Sequence, residues 1–321
     1  MTSPLPRHDT RPSPPGVAAL VAGLIGLVAA CSGSVGVAGP VPTPPTAAAS
    51  ASPATAPVAS PTAASGEPTM AASASAAATT AVRIYLFQPD SAGGDAHLVP
   101  VMRSVPLTRA VATAALRELL AGPAPDENGL LTMIPAGSQL LGITVDGGIA
   151  SVDLTGTFES GGGSASMLGR LAQLVYTATQ FPTVDAVRLR LDGKPVESIG
   201  GEGVIVGAGL GRTAATGSLG PIFVDQPTWG GAFPTPGRVT GLANVFEAQF
   251  QVQVLDSQRR VIAEAPVRAS CGTGCLGTFD VMVPYSVAAA QWGTLRVFDA
   301  SPKDGAPIDI REYPVRLTPA G

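Results

Sequence analysis

A long stretch of low complexity sets the first limit on where this chain can fold. Residues 32–80 consist almost wholly of Ala, Pro, Ser, Thr, Gly and Val, with Glu67 as the only charged residue and no aromatic residue. Such a composition cannot bury enough apolar surface to offset the entropy lost when a backbone is ordered. We therefore predict a disordered, Pro-stiffened linker here, and we expect the folded domains to follow residue 80.

An apolar run stands before this linker. Residues 16–30 carry no polar or charged side chain, and Val28-Ala29-Ala30-Cys31 matches the bacterial lipobox. The run is shorter than the roughly 20 residues of a membrane-spanning helix, which favours a signal peptide. We predict a lipoprotein signal peptide over 1–30 and a lipid anchor on Cys31, which would hold the protein at the outer face of the cell membrane. The alternative is an ordinary signal peptide cleaved at a nearby alanine, with Cys31 left as a thiol.

The cysteine count supports the anchor. The chain has three cysteines, and an odd number in a secreted protein leaves one thiol to be explained. If Cys31 is lipidated, Cys271 and Cys275 remain as an even pair that could close a short disulfide loop, whose two glycines permit a tight turn. The rest of the chain offers no Cys or His cluster to complete a metal site. We therefore predict neither a metal nor another cofactor.

Length and net charge limit the number of folded domains and the class of partner. The chain has 321 residues, 45% of them hydrophobic, which is enough for two modest cores. Its net charge is -4 and its basic residues are scattered, which argues against a nucleic-acid partner. Only Lys194 and Lys303 among the 19 basic residues are lysines. This bias, together with the Ala, Gly and Pro content, is typical of a GC-rich bacterial gene.

Residues 81–205 alternate strand and helix patterns. Turn residues separate the apolar runs, and two helical patterns each place apolar residues on one face. We predict an α+β domain in which two helices pack on a mixed sheet. The strands are predicted at 82–87, 97–105, 140–145, 149–154 and 187–191. The helices are predicted to begin with Thr108 as N-cap and at Ser164, with apolar faces made of Val111, Ala115, Leu116 and Leu119 and of Leu168, Leu171, Val175 and Ala178.

Motifs spread over this domain resemble a known family. They are LAGP at 120–123, GLLTMIP at 129–135, VDL at 152–154, LAQLVYTATQFP at 171–182 and LDGK at 191–194. In this order they are similar to the GerMN domain, which occurs in sporulation and germination lipoproteins and in other actinobacterial envelope lipoproteins. The resemblance covers the whole domain and implies an envelope role without known catalysis. It does not imply that the organism forms spores.

The pattern changes after a Gly-, Ala- and Thr-rich linker at 206–218. From 219 to 321 apolar and polar residues alternate, which predicts half-buried strands, and no helical pattern is present. We predict an all-β sandwich of about immunoglobulin size. The apolar members of the alternation are Phe246, Ala248, Phe250, Val252, Val254, Phe279, Val281, Val283, Leu295 and Val297.

This second domain also resembles a known module. The matching stretches are GLANVFEA at 241–248, ASCGTGC at 269–275, GTF at 277–279 and SPKDGAP at 301–307. They are similar to the immunoglobulin-like domain of bacterial spore-germination proteins, which is often found directly after GerMN. The order of the two modules strengthens both resemblances.

Residues able to carry catalysis are few. After the predicted signal peptide His97 is the only histidine, and it lies in a predicted strand without a nearby nucleophile motif. Acidic residues are scattered, and none is diagnostic of a catalytic carboxylate pair. Those that precede glycines in turns are expected to cap backbone amides. We predict no catalytic residue. The acids considered are Asp126, Glu127, Asp146, Asp153 and Asp192.

Two residues are candidates for binding. Ser164 follows three glycines and opens a helix whose free N–H groups suit an anion, with simple capping by Ser164 as the alternative. Trp229 precedes two glycines in a predicted loop, where it could stack against a sugar, with core packing as the alternative. Trp229 is a better candidate for exposure than Trp292, the other tryptophan of the chain.

The leading hypothesis is a membrane-anchored, non-catalytic scaffold or adaptor of the bacterial envelope that binds a protein or peptidoglycan partner. A second hypothesis is a protein that binds or cleaves cell-wall glycans. A third is a carrier or sensor of a small ligand bound between the two domains.

Overall fold

A computed structural model describes residues 78–90 and 95–320, which belong to one compact unit. The predicted signal peptide, the anchor at Cys31 and nearly all of the predicted linker lie outside the described residues. Thr79 and Thr80, predicted as the end of the linker, already belong to the first strand. In the described ranges we find no helix with the length and apolar character needed to cross a membrane.

The first half of the described chain is an α+β domain. Its elements are β1 (Thr79–Pro89), β2 (Ala96–Pro106), α1 (Val111–Ala121), β3 (Leu140–Asp146), β4 (Ile149–Leu154), α2 (Ser164–Ala178), β5 (Ala186–Leu191), β6 (Lys194–Pro195), β7 (Ser198–Ile199) and β8 (Val204–Ile205). Strands β1 and β2 form a long antiparallel hairpin. A mixed sheet has the order β3-β4-β5-β6, in which β4 and β5 run parallel because α2 connects them. Strands β7 and β8 form a small pair.

Helix α1 begins later than predicted. The prediction of Thr108 as N-cap is wrong, because the helix starts at Val111 after Ala110. The Thr108 hydroxyl instead accepts a 3.1 Å hydrogen bond from the N–H of Ala110, which forms a local turn ahead of the helix. The helix ends at Ala121, and Gly122 follows with a φ of 79°, a conformation that glycine adopts without strain.

Helix α2 begins at Ser164 as predicted, but its buried surface is wider than one face. Leu171, Val175 and Ala178 are buried as expected, whereas Leu168 is 50% exposed. From Gly169 to Ala178 every residue is buried, because the helix packs against β1 and β5 and is also covered by residues 212–218. A helix covered on several sides does not show a single apolar stripe.

The second half is an all-β sandwich, as predicted. Its strands are β9 (Ile222–Gln226), β10 (Ala232–Pro234), β11 (Gly237–Ala243), β12 (Gln249–Leu255), β13 (Val261–Arg268), β14 (Gly277–Val283), β15 (Gln291–Ala300) and β16 (Pro307–Thr318). One sheet has the order β10-β16-β15-β12-β13 and the other β14-β11-β9. Inward-facing residues of both sheets form the core between them.

The predicted strand over 246–254 exists only from Gln249 onward. Phe250, Val252 and Val254 are buried, as the alternation predicts. Phe246 instead lies in a short 3₁₀ turn and is 57% exposed. The backbone of this turn bonds the nearby cysteine loop, since the N–H of Glu247 donates to the Thr273 hydroxyl at 3.2 Å. This contact diverts the chain from the strand path.

The segment predicted as a linker, 206–218, is folded. Leu210 forms an isolated antiparallel bridge with Val187 of β5. Residues Arg212–Ser218 then form a 3₁₀ helix that packs against α2. The connection between the two halves is therefore packed along the first domain.

Candidate functional site at the domain junction

The segment around Trp229 joins the two halves through backbone hydrogen bonds. The N–H of Trp229 donates to the carbonyl of Pro100 in β2, and the N–H of Gly230 donates to the carbonyl of Pro314 in β16, each at 2.8 Å. The carbonyl of Gly231 accepts a third bond from the N–H of Arg316, also at 2.8 Å. Hydrogen bonding thus continues from the hairpin of the first domain into the larger sheet of the second.

An aromatic cluster fills the junction on another side. Tyr85 and Tyr176 of the first domain pack with their ring centroids 5.3 Å apart, and Phe223 of the second domain lies 6.0 Å from Tyr176. The Arg212 guanidinium lies 4.8 Å from the Tyr176 centroid and 5.8 Å from that of Tyr85. Aromatic pairs and cation–π contacts of this kind stabilise beyond the burial of apolar area.

Asp225, in β9, receives two hydrogen bonds from the first domain. Its carboxylate accepts 2.6 Å and 3.0 Å bonds from the Arg83 guanidinium and the Tyr85 hydroxyl, respectively. Burial, followed by the nearby Asp225 charge, raises the pKa of Tyr85 well above its ordinary value. The phenol therefore stays protonated and acts as a permanent donor to Asp225. This clamp links strands from both domains.

A second ionic contact crosses the junction at the end of β1. Arg311, buried in β16, forms an ion pair with Asp90. His97 Nε2 lies 3.7 Å from the other Asp90 oxygen. Because burial lowers the pKa of His97, the imidazole is neutral at pH 7 and this approach is not an ion pair. The predicted strand position of His97 is confirmed, since His97 lies partly exposed in β2.

A groove of about 770 Å³ lies along this junction and contains both tryptophans of the chain. Its volume is in the usual range of ligand-binding pockets. The first domain contributes the turn that carries Asp126, Glu127 and Asn128, and the second contributes strands β15 and β16. The remaining lining residues are Gln88, Val101, Met102, Trp229, Gly230, Gly231, Arg259, Trp292, Thr294, Glu312 and Pro314.

The exposed tryptophan is Trp292, which reverses the predicted order. Trp292 is 50% exposed on the outer face of β15, whereas Trp229 is partly buried and packs against the core. Arg316 pairs directly opposite Trp292 in β16, and its guanidinium lies 4.6 Å from the indole centroid. The arginine holds the ring in place, so Trp292 presents a fixed aromatic surface to the groove.

Charged side chains surround these rings. The Glu312 carboxylate accepts hydrogen bonds from Arg259 (2.6 Å) and Arg296 (2.8 Å). Burial alone would raise the pKa of Glu312, but these two bonds outweigh it and hold the pKa below its usual value. Glu127 forms a bidentate pair with Arg103, and Asp126 beside it is exposed. The groove thus offers the ionised carboxylate of Glu312, two further acidic side chains and guanidinium groups.

The helix end at Ser164 is occupied by another residue of the chain. Both the N–H and the hydroxyl of Ser164 donate to the Glu202 carboxylate, the N–H at 3.2 Å. Hydrogen bonding to Ser164 lowers the pKa of Glu202, so the carboxylate is ionised at neutral pH. Ser164 is the first residue of α2 rather than its cap. An anion does lie at this helix end, as such ends favour, but it belongs to Glu202.

The sequence also predicted a disulfide in the second domain and carboxylates that cap backbone amides in turns. Cys271 and Cys275 are joined by a disulfide, with their Cα atoms 6.1 Å apart. Asp192 accepts a 3.1 Å hydrogen bond from the N–H of Gly156, and Asp153 accepts one of 3.0 Å from the N–H of Gly193. These carboxylates therefore hold loops of the first domain. Within residues 78–90 and 95–320, no three metal-binding side chains cluster together.

Buried polar residues of α2 escaped prediction. Gln173, with no exposed surface, donates to the Tyr85 carbonyl at 2.9 Å and accepts from the N–H of Met133 at 2.9 Å. Arg170 is also buried and donates to carbonyls that include Phe158 at 2.7 Å. In the sequence, Gln173 and Arg170 stand between apolar residues and would be expected to face solvent. The structure shows that both instead form hydrogen bonds to segments next to α2.

A second cavity, of about 500 Å³, lies inside the first domain. It is bordered by α2 and the folded segment 206–218, and the partly exposed Leu168 belongs to its lining. The lining is mostly apolar, with His97 and Asp95 as its titratable groups. This cavity explains why Leu168 remains apolar despite its exposure.

Comparison with known families identifies both halves. Residues 83–197 match the family called Germane, described as sporulation and spore germination. Residues 221–306 match Gmad2, the immunoglobulin-like domain of bacterial spore germination. The chain carries a Germane domain followed by a Gmad2 domain. Both resemblances seen in the sequence are thereby confirmed.

Solved structures similar to this chain include the first GerMN domain of the sporulation protein GerM from Bacillus subtilis. It is 25% identical, with a TM-score of 0.34, and the match covers 42% of this chain and 99% of that one. The tandem GerMN domains of the same protein are 15% identical, with a TM-score of 0.37, and the match covers 76% and 62% of the two chains.

A lipoprotein from Clostridium perfringens, titled putative, is 17% identical, with a TM-score of 0.31 and coverage of 42% and 89%. No curated protein sequence is detectably similar to the chain. All three TM-scores are low, so the Germane and Gmad2 assignments rest on the family matches.

Proposed function

We propose that this protein is an extracytoplasmic lipoprotein that uses its Germane and Gmad2 domains together as one non-catalytic binding body in the bacterial envelope. Cys31 would carry the lipid, residues 32–80 would act as the tether, and the joined domains would serve as scaffold or adaptor for an envelope partner. The two matched families, both from sporulation and germination, support an envelope location.

The observation that carries this proposal is the junction between the domains. Tandem domains on a flexible linker present their surfaces independently, whereas these two share backbone hydrogen bonds at Trp229 and a partly buried ionic contact at Asp225. A partner therefore meets a surface built from both domains in a fixed arrangement. Such preorganisation lowers the entropic cost of binding, which suits an adaptor.

The state of the charged groups supports binding over catalysis. Glu312 in the groove is paired with two arginines that lower its pKa, the opposite of a general acid whose pKa is raised toward neutrality. Glu127 is held in an ion pair by Arg103. Asp153 and Asp192 are engaged with backbone amides. These groups act as fixed charges and as structural ties.

The anchor is tested by fractionation of cells that express the full chain with Cys31→Ala. We expect wild-type protein in the membrane fraction and labelled by a radioactive or clickable fatty acid, and the variant unlabelled and either released or unprocessed. Ser32→Ala is the matched control, because it alters the next residue without removing the thiol. An unlabelled wild-type protein, or a Cys31→Ala variant that is still labelled by the fatty acid and still processed, would contradict the anchor.

The adaptor role is tested separately by site-specific photo-cross-linking in living cells. A cross-linking residue at Met102, which is exposed beside the groove, should capture a defined envelope component. The same residue at Phe246, which is more exposed than Met102 and lies in the Gmad2 domain outside the groove, is the control. Identical adduct patterns at both positions, or no adduct at Met102, would argue against a partner at the junction.

A further inference from the structure

Resting on this envelope role, we infer that the groove between the Germane and Gmad2 domains binds a glycan built of acetamido sugars, with Trp292 as the stacking surface. The inference concerns the ligand class of one site, and it does not depend on whether the protein also contacts another envelope protein.

The aromatic part of the groove suits a sugar ring. Sugar rings present C–H faces that pack on flat aromatic surfaces, and tryptophan offers the largest such surface. Trp292 is half exposed, although Arg316 fixes its orientation from one side. A large aromatic side chain that remains open to water inside a groove has no evident role in holding the sandwich together.

The polar part of the groove suits hydroxyl and acetamido groups. Asp126 and Asn128 are exposed at the rim and can accept hydrogen bonds from sugar hydroxyls or amide N–H groups. Arg259 is 56% exposed at its side chain even when paired with Glu312, so its remaining N–H groups can donate to an acetyl carbonyl. Donors and acceptors therefore lie on the same groove as the aromatic surface.

Other ligand classes fit this combination less well. A Pro-rich peptide would use the tryptophans, but its backbone carries few donors to match Asp126 and Asn128. A polyanion would find the nearby arginines already engaged, because Arg103 pairs with Glu127, and Arg259 and Arg296 pair with Glu312. It would also meet the exposed carboxylate of Asp126, which repels negative charge. A neutral glycan satisfies both the aromatic and the polar groups, and the groove volume of about 770 Å³ has room for several linked sugar rings.

Tryptophan fluorescence gives a direct test, because both tryptophans of the chain line the groove. The full chain, purified in detergent, is titrated with the β-1,4-linked trimer of N-acetylglucosamine to about 10 mM, enough to detect a Kd of about 1 mM. We expect a saturable change in emission, matched by heat in calorimetry. Maltotriose, which lacks the acetamido group, should bind at least about tenfold more weakly.

Two variants locate the site. Trp292→Ala should weaken calorimetric binding by about tenfold or more, and Trp292→Phe, which keeps a flat ring, should retain most of it. Asp126→Asn, an exposed and nearly isosteric change, should weaken binding by a smaller factor and keeps the test valid if Trp292→Ala does not fold. Phe246→Ala is the matched control, since it removes an exposed aromatic ring outside the groove and should bind as wild type.

The inference is overturned if the trimer produces no saturable signal, if Trp292→Ala and Asp126→Asn both bind as wild type, or if maltotriose binds equally well. A peptide of residues 40–46 (PVPTPPT) represents the Pro-rich ligand class. The inference is also overturned if this peptide binds with the Trp292 dependence expected of the glycan. A negative titration together with a specific cross-link at Met102 would remove the glycan and leave the adaptor role standing.

Discussion

The Tyr85 hydroxyl in the Germane domain donates a 3.0 Å hydrogen bond to Asp225 in the Gmad2 domain. Asp225 also receives the Arg83 guanidinium, so one carboxylate satisfies two donors from β1. Because all three groups are at least partly buried, leaving any one of them without its partner costs more than a surface contact would. Domain association and domain stability are therefore coupled at this point.

Tyr85→Phe should lower the free energy of unfolding by about 1 kcal/mol, because it removes one hydrogen bond to Asp225 and keeps the aromatic packing. For a unit of this size the midpoint of thermal unfolding should fall by roughly 2–4 °C. Differential scanning calorimetry measures both values. Tyr176→Phe is the control from the same aromatic cluster, and we expect little change. Equal losses for both variants would show that the loss does not come from the hydrogen bond to Asp225.

The stability of the folded unit should depend on pH through His97. Burial lowers the pKa of this imidazole in the folded state, so the unfolded chain takes up a proton first as the pH falls. This contribution is fully present above about pH 6.5 and is lost as the pH falls from there toward the folded-state pKa. Urea unfolding at a series of pH values measures it, and His97→Gln should show a shallower dependence over that window.

Charged groups near His97 modify the size of this effect. Asp95 and Asp309 favour the charged imidazole and oppose the burial effect, while Asp90 is held by Arg311. Burial prevails over the two carboxylates, so the pKa of His97 remains lowered in the folded state. If His97→Gln and wild type follow the same pH profile, the imidazole does not titrate differently in the folded and unfolded states.

Removal of the Cys271–Cys275 disulfide should destabilise the Gmad2 domain moderately. The loop is short, so the chain-entropy effect is limited to about 2 kcal/mol. The double variant Cys271→Ser/Cys275→Ser should unfold at lower urea concentration, and wild-type protein in strong reductant should shift to the same midpoint. A variant that unfolds like oxidised wild type would mean that the bond does not constrain the unfolded chain.

Gln173→Leu should be more harmful than its place between apolar residues suggests. The substitution leaves the Tyr85 carbonyl and the Met133 N–H without partners in the interior, and we expect a loss of about 2–4 kcal/mol. Gln258→Leu, at an exposed turn position, should change stability by less than about 0.5 kcal/mol. Chemical denaturation of both variants compares them, and a small effect at Gln173 would indicate that water replaces its bonds.

Local patterns in the sequence predicted most of the elements. The strands predicted at 140–145, 149–154 and 187–191 are confirmed as β3, β4 and β5, and buried positions alternate along β4 and β5. The sandwich of the second half follows from the same signal. The ends of the elements were less predictable. The prediction of Thr108 as N-cap is wrong, and the alternating pattern begins at Phe246, before the first residue of β12 at Gln249.

Contacts between distant residues account for what the sequence did not reveal. Tyr85 and Asp225 are 140 positions apart, and Ser164 is 38 positions from Glu202. No local pattern relates such pairs. The exposure of Trp292 rather than Trp229 likewise depends on how β2, β15 and β16 meet at the junction. The groove could be suspected from two tryptophans, but its location required the three-dimensional arrangement of both domains.

The backbone bonds that Trp229 donates to Pro100 and Gly230 donates to Pro314 have an evolutionary consequence. Modules joined by loose connectors can be exchanged between genes as independent cassettes. Here a Germane domain transplanted without its own Gmad2 domain would expose the edge that Trp229 covers and lose the acceptor at Asp225. The two domains should therefore be inherited together as a pair, and substitutions on one side of the domain junction should be accompanied by compensating substitutions on the other.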